Sequence, residues 1–269
     1  MTAFGAIIQR DVVLAHGPDT VSFLQGQLSQ DVAMAVGESR WSLLLEPTGK
    51  VHTWLRMTSL DDEAVQLDTD AGFGDAMVER LTRFKLRTNV DFDTVGTVPC
   101  VAVRGESGDG LPIAWPGVDG YDLLGTDVPP DGLELRADYE QARIEAGVPA
   151  MGKELTDATI PVEAGQWLID ASVSFTKGCY TGQELVARVD SRGGNAPRPI
   201  RGLRILGEAV AGDAVVAADG RTVGALTSTW YQSDLDETVA LAPLARAVAP
   251  PADVTVELRP ARVVELPMT

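Results

Sequence analysis

The run Lys177-Gly178-Cys179-Tyr180-Thr181-Gly182-Gln183-Glu184 concentrates the residue types that perform thiol chemistry. Two glycines within five residues imply a bent, exposed backbone around Cys179. Lys177 precedes the thiol and Arg188 follows the run; nearby cations favour thiolate over thiol. Glu184 stands where it orients Lys177 or accepts a proton from a ligand. The competing reading is a glycine turn whose cysteine only fills a small space. The other cysteine, Cys100, lies inside the apolar run Val98 to Val103. A buried free cysteine behaves as a small hydrophobe, so Cys100 is expected in the core.

The elements that must position this run can be read from periodicity. Gln9 to Ala15 reads as a strand, followed by Asp19 as N-cap of a helix with Val21, Leu24 and Leu28 on one face. Trp41 to Leu45 and Val51 to Met57 flank Pro47-Thr48-Gly49-Lys50, a hairpin signature. Val65 to Leu67 is a further strand. Asp75 to Leu86 is an amphipathic helix with Met77, Leu81 and Phe84 at i, i+4 and i+7. Val98 to Val103 reads as a buried strand. Tyr139 to Ala146 is a short helix between Asp138 and Gly147. Val148 to Val173 reads as irregular. Leu185-Val186-Ala187 begins an element that fixes the cysteine run. After Pro197 and Pro199 only short, turn-punctuated apolar runs remain, which reads as a small all-β unit. The expectation is an α+β fold with a domain over 1–199 and a β domain over 200–269.

The chain has 269 residues, 45% of them hydrophobic, and a formal net charge of −17. Such an acidic chain should be repelled by nucleic acid and anionic membrane, so neither is expected as a partner. No run of about 18 apolar residues predicts a transmembrane helix. The N-terminus lacks the basic start and apolar stretch of a signal peptide. With two cysteines, the expected setting is a reducing cytoplasm with both thiols free. From Lys177 to Arg204, six basic residues (Lys177, Arg188, Arg192, Arg198, Arg201, Arg204) face two acids, leaving +4 against −21 for the rest. That island is a candidate site for an anionic ligand, or a set of arginines paired with acids elsewhere. The phosphate-binding P-loop and the nucleophile elbow are absent, Met77 breaks the one dinucleotide-like fingerprint, and His16 and His52 are too few for a zinc site. No metal ligands are assigned. Two cysteines do not hold an iron–sulfur cluster in the four-thiolate manner.

Lys177-Gly178-Cys179-Tyr180-x-Gly182-Gln183-Glu184-x-x-x-Arg188 resembles the signature of the YgfZ-type folate-binding proteins, relatives of the glycine cleavage T-protein aminomethyltransferase. The resemblance extends to Phe23–Asp31, to Arg143-Ile144-Glu145-Ala146-Gly147-Val148-Pro149 and to Val223–Ser228. It implies an aminomethyltransferase-like folate-binding domain followed by a C-terminal β-barrel. It implies tetrahydrofolate, or a one-carbon derivative, as cofactor. It implies support for iron–sulfur cluster assembly, repair or enzyme activity, with iron–sulfur enzymes or assembly proteins as partners. Cys179 and Lys177 are then the chemical residues. Glu145, Arg143, Tyr180, Gln183, Glu184 and Arg188 are the candidate folate contacts. Glu145 matches the T-protein glutamate that grips the pterin, and a carboxylate accepts both hydrogens of an amidine-like edge. Arg143 either serves the anionic tail or pairs with an acid in the fold.

The T-proteins resemble one another in an acid on the strand after the first hairpin turn. The equivalent stretch here, Gly49-Lys50-Val51-His52-Thr53-Trp54, has none. Aminomethyl transfer loses its expected acid, which favours the accessory role. The alternatives are a tetrahydrofolate-dependent one-carbon transferase or demethylase and, third, a thiol redox protein using Cys100 as partner. The chain is expected to act as a monomer.

Overall fold

The structure, a computed structural model, describes residues 3–191 and 195–268. Its first sheet holds β1 (Phe4–His16), β2 (Ser39–Leu45), β3 (Val51–Ser59), β4 (Ala64–Asp70), β5 (Asp91–Arg104), β6 (Leu111–Pro112) and β7 (Gly120–Leu124). The spatial order is β2-β3-β4-β1-β5-β7-β6, antiparallel throughout. The hairpin read around Pro47–Lys50 is the β2–β3 turn, and Cys100 is fully buried in β5.

Side chains alternate across a strand, so register sorts the two faces. One face offers Val13, Leu55, Met57 and Leu67 to Phe23 and Leu24 of α1 (Thr20–Gln27) and to Met77 and Leu81 of α2 (Gly74–Arg83). The other offers Trp41, Leu43 and Trp54 to α3 (Tyr139–Ala146), to α4 (Gln166–Ser172) and to Val239 and Leu241 of the second sheet. Each leucine so buried contributes about 1.5–3 kcal/mol relative to leaving it exposed.

Local departures from the sequence reading have physical causes. The second helix ends at Arg83, where Phe84 and Lys85 tighten into bonds to the Leu81 and Thr82 carbonyls, and Arg87 then turns to φ +57. Asp19 and Asp138 do occupy N-cap positions, yet neither carboxylate caps its helix. Asp19 accepts the Asn89 N–H instead, and Asp138 pairs with Arg136. The segment read as irregular holds a 3-10 turn at Pro161–Ala164 and then α4. Pro161 and Gly165 break it into pieces too short to show a helical period. The last helix is α5 (Gln183–Ser191), which starts inside the cysteine motif.

The second sheet takes all its strands from residue 200 onward: β8 (Ile200–Leu206), β9 (Ala214–Ala217), β10 (Thr222–Ala225), β11 (Ser228–Gln232), β12 (Glu237–Pro243), β13 (Ala252–Val256) and β14 (Arg259–Val264). Their order is β10-β9-β13-β14-β8-β12-β11. The two outermost strands, β10 and β11, are separated in sequence only by Leu226 and Thr227. Leu226 N–H bonds to Asp213 and Thr227 N–H bonds to Leu241, so one bent run serves both edges and curls the sheet into a small barrel. Leu203, Ile205, Val215, Val256 and Val263 fill it. The architecture is α+β with a C-terminal barrel, as the sequence led us to expect.

Candidate functional site

The cysteine run is clamped at three points. The Lys177 ammonium donates to the carbonyls of Gln25 (2.7 Å), Leu28 (2.6 Å) and Gln30 (3.1 Å), which the end of α1 leaves without helical partners. Burial pushes its pKa down to about 8, against a smaller opposing pull from Asp31. Thr181 N–H bonds to Gly26 at 3.0 Å. Gly182, at φ +84, lies against the β2–β3 turn: a Cβ there would come within 2.6 Å of the Glu46 carbonyl and 2.8 Å of Leu45. Gly49 in that turn, at φ +79, is its counterpart, with 2.4 Å to Leu185. Both positions need glycine for space and for backbone conformation.

Between these anchors, Gly178 and Cys179 face outward. A Cβ on Gly178 would meet nothing within 4 Å, and the Cys179 thiol is free and exposed. Tyr180 turns inward, joins the core and stacks near the Lys177 ammonium at 5.3 Å; burial raises its phenol to about 12. Gln183 bonds back to the Tyr180 N–H through its side chain at 3.4 Å. Glu184 and Arg188 lie exposed on α5. Arg192 of the basic island lies outside the described residues. The others are dispersed: Arg204 on β8 pairs with Glu237, and the Arg198 N–H bonds to Glu163.

Glu145 sits on α3, facing the barrel. Gln141 of the same helix and Gln232 of β11 both donate to its Oε1, at 3.1 and 3.2 Å. Its Oε2 has no protein partner among the described residues. Arg143, one face round the helix, is buried and engaged at every nitrogen. It pairs doubly with Glu140, reaches Glu154 at 3.4 Å, and donates to the Val148 carbonyl and to Ser228 on β11. Glu154 in turn accepts from Thr227 and Ser228, which ties α3 to the barrel. No hydrogen bond or ion pair among the described residues joins Glu145 or Arg143 to the cysteine run.

A cavity of about 360 Å³ opens on the face of the first sheet beside α3. Arg143 is the one predicted site residue on its wall; Arg10, Trp41, Trp54, Arg104, Trp115 and Tyr139 are others. Its floor is a ladder of buried charge that periodicity did not announce. Trp41, Arg56 and Asp68 lie opposite one another across β2, β3 and β4, and Arg10 of β1, opposite Asp70, stands on the same face. Arg56 bridges Asp68 and Asp122, Arg10 bridges Asp68 and Asp70, and Arg104 pairs with Asp122. Polar residues at alternate positions of otherwise apolar strands were the available signal.

The β3 stretch without an acid is inward-facing. Thr53 is buried, and its hydroxyl lies 2.8 Å from His52 Nδ1. Burial lowers the His52 pKa, partly offset by Glu46, so the imidazole is neutral at pH 7. Cys100 has its thiol pushed up to about 12 by burial, which makes it a poor redox partner. No group of three or more metal-ligating side chains occurs among the described residues, and no helix there is long and apolar enough to cross a membrane.

The chain has an aminomethyltransferase-like fold. The crystal structure of glycine cleavage system aminomethyltransferase T from Bartonella henselae superposes over 99% of this chain and 86% of that one, with a TM-score of 0.79 at 20% identity. An aminomethyltransferase of Exiguobacterium sibiricum is 25% identical over 276 residues, 86% of this chain and 74% of its own. The tRNA-modifying protein YgfZ of Pectobacterium carotovorum is 28% identical over 215 residues, 66% of this chain, and the match spans 63% of that relative's length. No protein-family model matches the chain. In sequence and fold together the chain is similar to the YgfZ-type proteins and the aminomethyltransferases.

Proposed function

We propose that the chain binds tetrahydrofolate, or a one-carbon derivative, and acts as an accessory protein for the assembly, repair or activity of iron–sulfur enzymes in the cytoplasm. Residues 1–199 form the folate-binding domain in this reading and 200–269 the barrel domain. The observation that carries it is an exposed thiol, Cys179, held on a rigidly clamped loop in an aminomethyltransferase-like fold. Lys177 positions that thiol by fixing the loop.

Glu145 supports the folate half. Two glutamine amides orient one of its oxygens and leave the other unpartnered, which suits a ligand edge carrying adjacent N–H donors. Arg143, its donors taken by protein groups, stiffens the same helix. Calorimetric titration with tetrahydrofolate checks this: saturable binding is expected, weakened at least tenfold in Glu145→Ala. Cells relying on a folded Cys179→Ala chain should show low iron–sulfur enzyme activity, and normal activity there would remove the role given to the thiol.

A one-carbon transferase is the second reading, favoured by the likeness to the Exiguobacterium aminomethyltransferase. Against it, Val51 to Trp54 supply no acid for the transfer. Formation of methylenetetrahydrofolate from tetrahydrofolate and a methylated amine would install that reading in place of the first.

A further inference from the structure

One end of the barrel is built at a cost that the fold does not repay. Among the described residues, non-glycine positions of positive φ are Arg87, Asp236, Glu257 and Leu258, and all but Arg87 lie at this end. Glu257 (φ +46) and Leu258 (φ +70) fill both central positions of the turn between β13 and β14, since Val256 pairs directly with Arg259. Such a turn favours Asn-Gly, because both positions are left-handed. Leucine has no side-chain oxygen to ease that conformation, and its Cβ crowds the backbone. Leu258 gains no burial in return: it is 95% exposed. Strain without a packing reward points to a role outside the fold.

The neighbours of Leu258 extend the same surface. β8 lies between β14 and β12, so the chain leaving β8 is flanked by the β13–β14 turn and the β11–β12 turn. On one side the Gly207 N–H bonds to the Asp236 carbonyl at 2.7 Å; on the other, a Cβ on Gly207 would lie 3.8 Å from Arg259. Leu206, 58% exposed, therefore lies between Leu258 and Leu235, which is 62% exposed in the β11–β12 turn. Val210, also exposed, follows in the loop after β8. A single exposed leucine is ordinary, but leucines grouped on adjacent segments mark a contact surface. Its rim is acidic. Glu208, Asp234, Asp236 and Glu257 are exposed there, and Glu237 is paired with Arg204, which leaves Arg259 as the opposing base in these segments.

We infer that this end of the barrel docks a basic amphipathic segment of a partner protein, whose apolar stripe covers Leu206, Leu235 and Leu258 and whose lysines or arginines meet the acidic rim. Charge selects that occupant. A second copy of this chain, an anionic bilayer and nucleic acid would each bring like charge to an acidic rim on a chain of net charge −17. A cationic segment is drawn to the same rim, and its apolar face removes the leucines from water. The inference stands without the folate and thiol readings.

Calorimetric titration of the full chain tests it, with a helical peptide of leucine and lysine, its leucines on one face, as the probe. A peptide of the same composition with the leucines scattered is the control. The first should bind saturably, about tenfold tighter than the second. Leu258→Gly and Leu235→Ser should each weaken it about fivefold. Glycine suits a left-handed turn position, so Leu258→Gly should melt no lower than the parent. A leucine kept for packing would lower the melting temperature when removed, so weaker binding at undiminished stability separates docking from packing. Leu235→Ser reads the same surface from a second turn, should the first variant misfold. No saturable binding of the amphipathic peptide, equal binding of both peptides, or binding unchanged in both variants would overturn the inference. Self-association of the parent in sedimentation, or its flotation with phosphatidylcholine vesicles, would also overturn it if lost in Leu258→Gly; a second copy or a lipid surface would then be the occupant.

Discussion

Substituting Gly182 by alanine tests whether the cysteine run is a clamp. The backbone there is held at φ +84, and a left-handed alanine costs about 1–2 kcal/mol. The new Cβ would also press to 2.6 Å from the Glu46 carbonyl, a backbone atom that does not yield easily. Overpacking of this kind adds about 1–3 kcal/mol. The total, about 2–5 kcal/mol, should lower the melting temperature by about 4–20 °C at the 2–4 °C per kcal/mol expected for a chain of this size. Gly178→Ala is the internal control. Its φ is not left-handed and its Cβ meets nothing, so stability should be unchanged or up to about 1 kcal/mol higher. Gly49→Ala separates the same two surfaces from the other side, so Gly49→Ala with Gly182→Ala should cost less than the sum of the two. Thermal denaturation followed by circular dichroism measures all four chains, and thiol labelling of Cys179 reports whether the loop has come loose. A Gly182→Ala chain within 0.5 kcal/mol of the parent, or a Gly178→Ala chain that suffers equally, would refute the clamp.

Further outcomes follow from the charges. Lys177→Met leaves three carbonyls at the end of α1 without their donor, and amide exchange around Gln25 to Gln30 should speed up. Because burial depresses the Lys177 pKa to about 8 from 10.5, holding the proton costs folding free energy at neutral pH. That cost is relieved as pH rises from about 8 to 10.5, so denaturant titration should show the parent gaining on Lys177→Met across that window. Arg56→Met takes one partner each from Asp68 and Asp122, which keep Arg10 and Arg104, and should cost about 1.5–3 kcal/mol in urea unfolding. For Glu140, burial opposes ionisation, but Arg143 and Lys153 prevail and hold the carboxyl near 2. Its stabilisation is present above about pH 4.5 and fades as pH falls towards 2; because the carboxylate is partly exposed, Glu140→Gln should lose only about 1 kcal/mol at pH 7 and less at pH 3.

Much of the fold is written locally. The β2–β3 hairpin, the α3 helix with its left-handed Gly147, and the change of texture near Pro199 each need only a few neighbouring residues to read. What stayed hidden is non-local. Gly49 and Gly182 look like independent turn glycines until the fold sets them against each other. Arg10, Arg56, Asp68 and Asp122 look like interruptions of apolar strands until antiparallel register stacks them on one face. Lys177 looked like a neighbour of the thiol because sequence distance cannot tell which way a side chain turns; it turns to the carbonyls of α1.

The bent run through Leu226 and Thr227 has a bearing on how the protein behaves in a crowded solution. A sheet normally ends in a strand whose backbone groups invite another chain to dock alongside. Here the two ends of the second sheet are consecutive stretches of one run, and each is stitched to the barrel by its own hydrogen bonds. The valine-rich strands from 200 onward would be adhesive in an open sheet. Rolled up this way the β10 flank is partly capped, since the Ala245 N–H bonds to the Val223 carbonyl, and docking of another chain there is disfavoured while the roll holds.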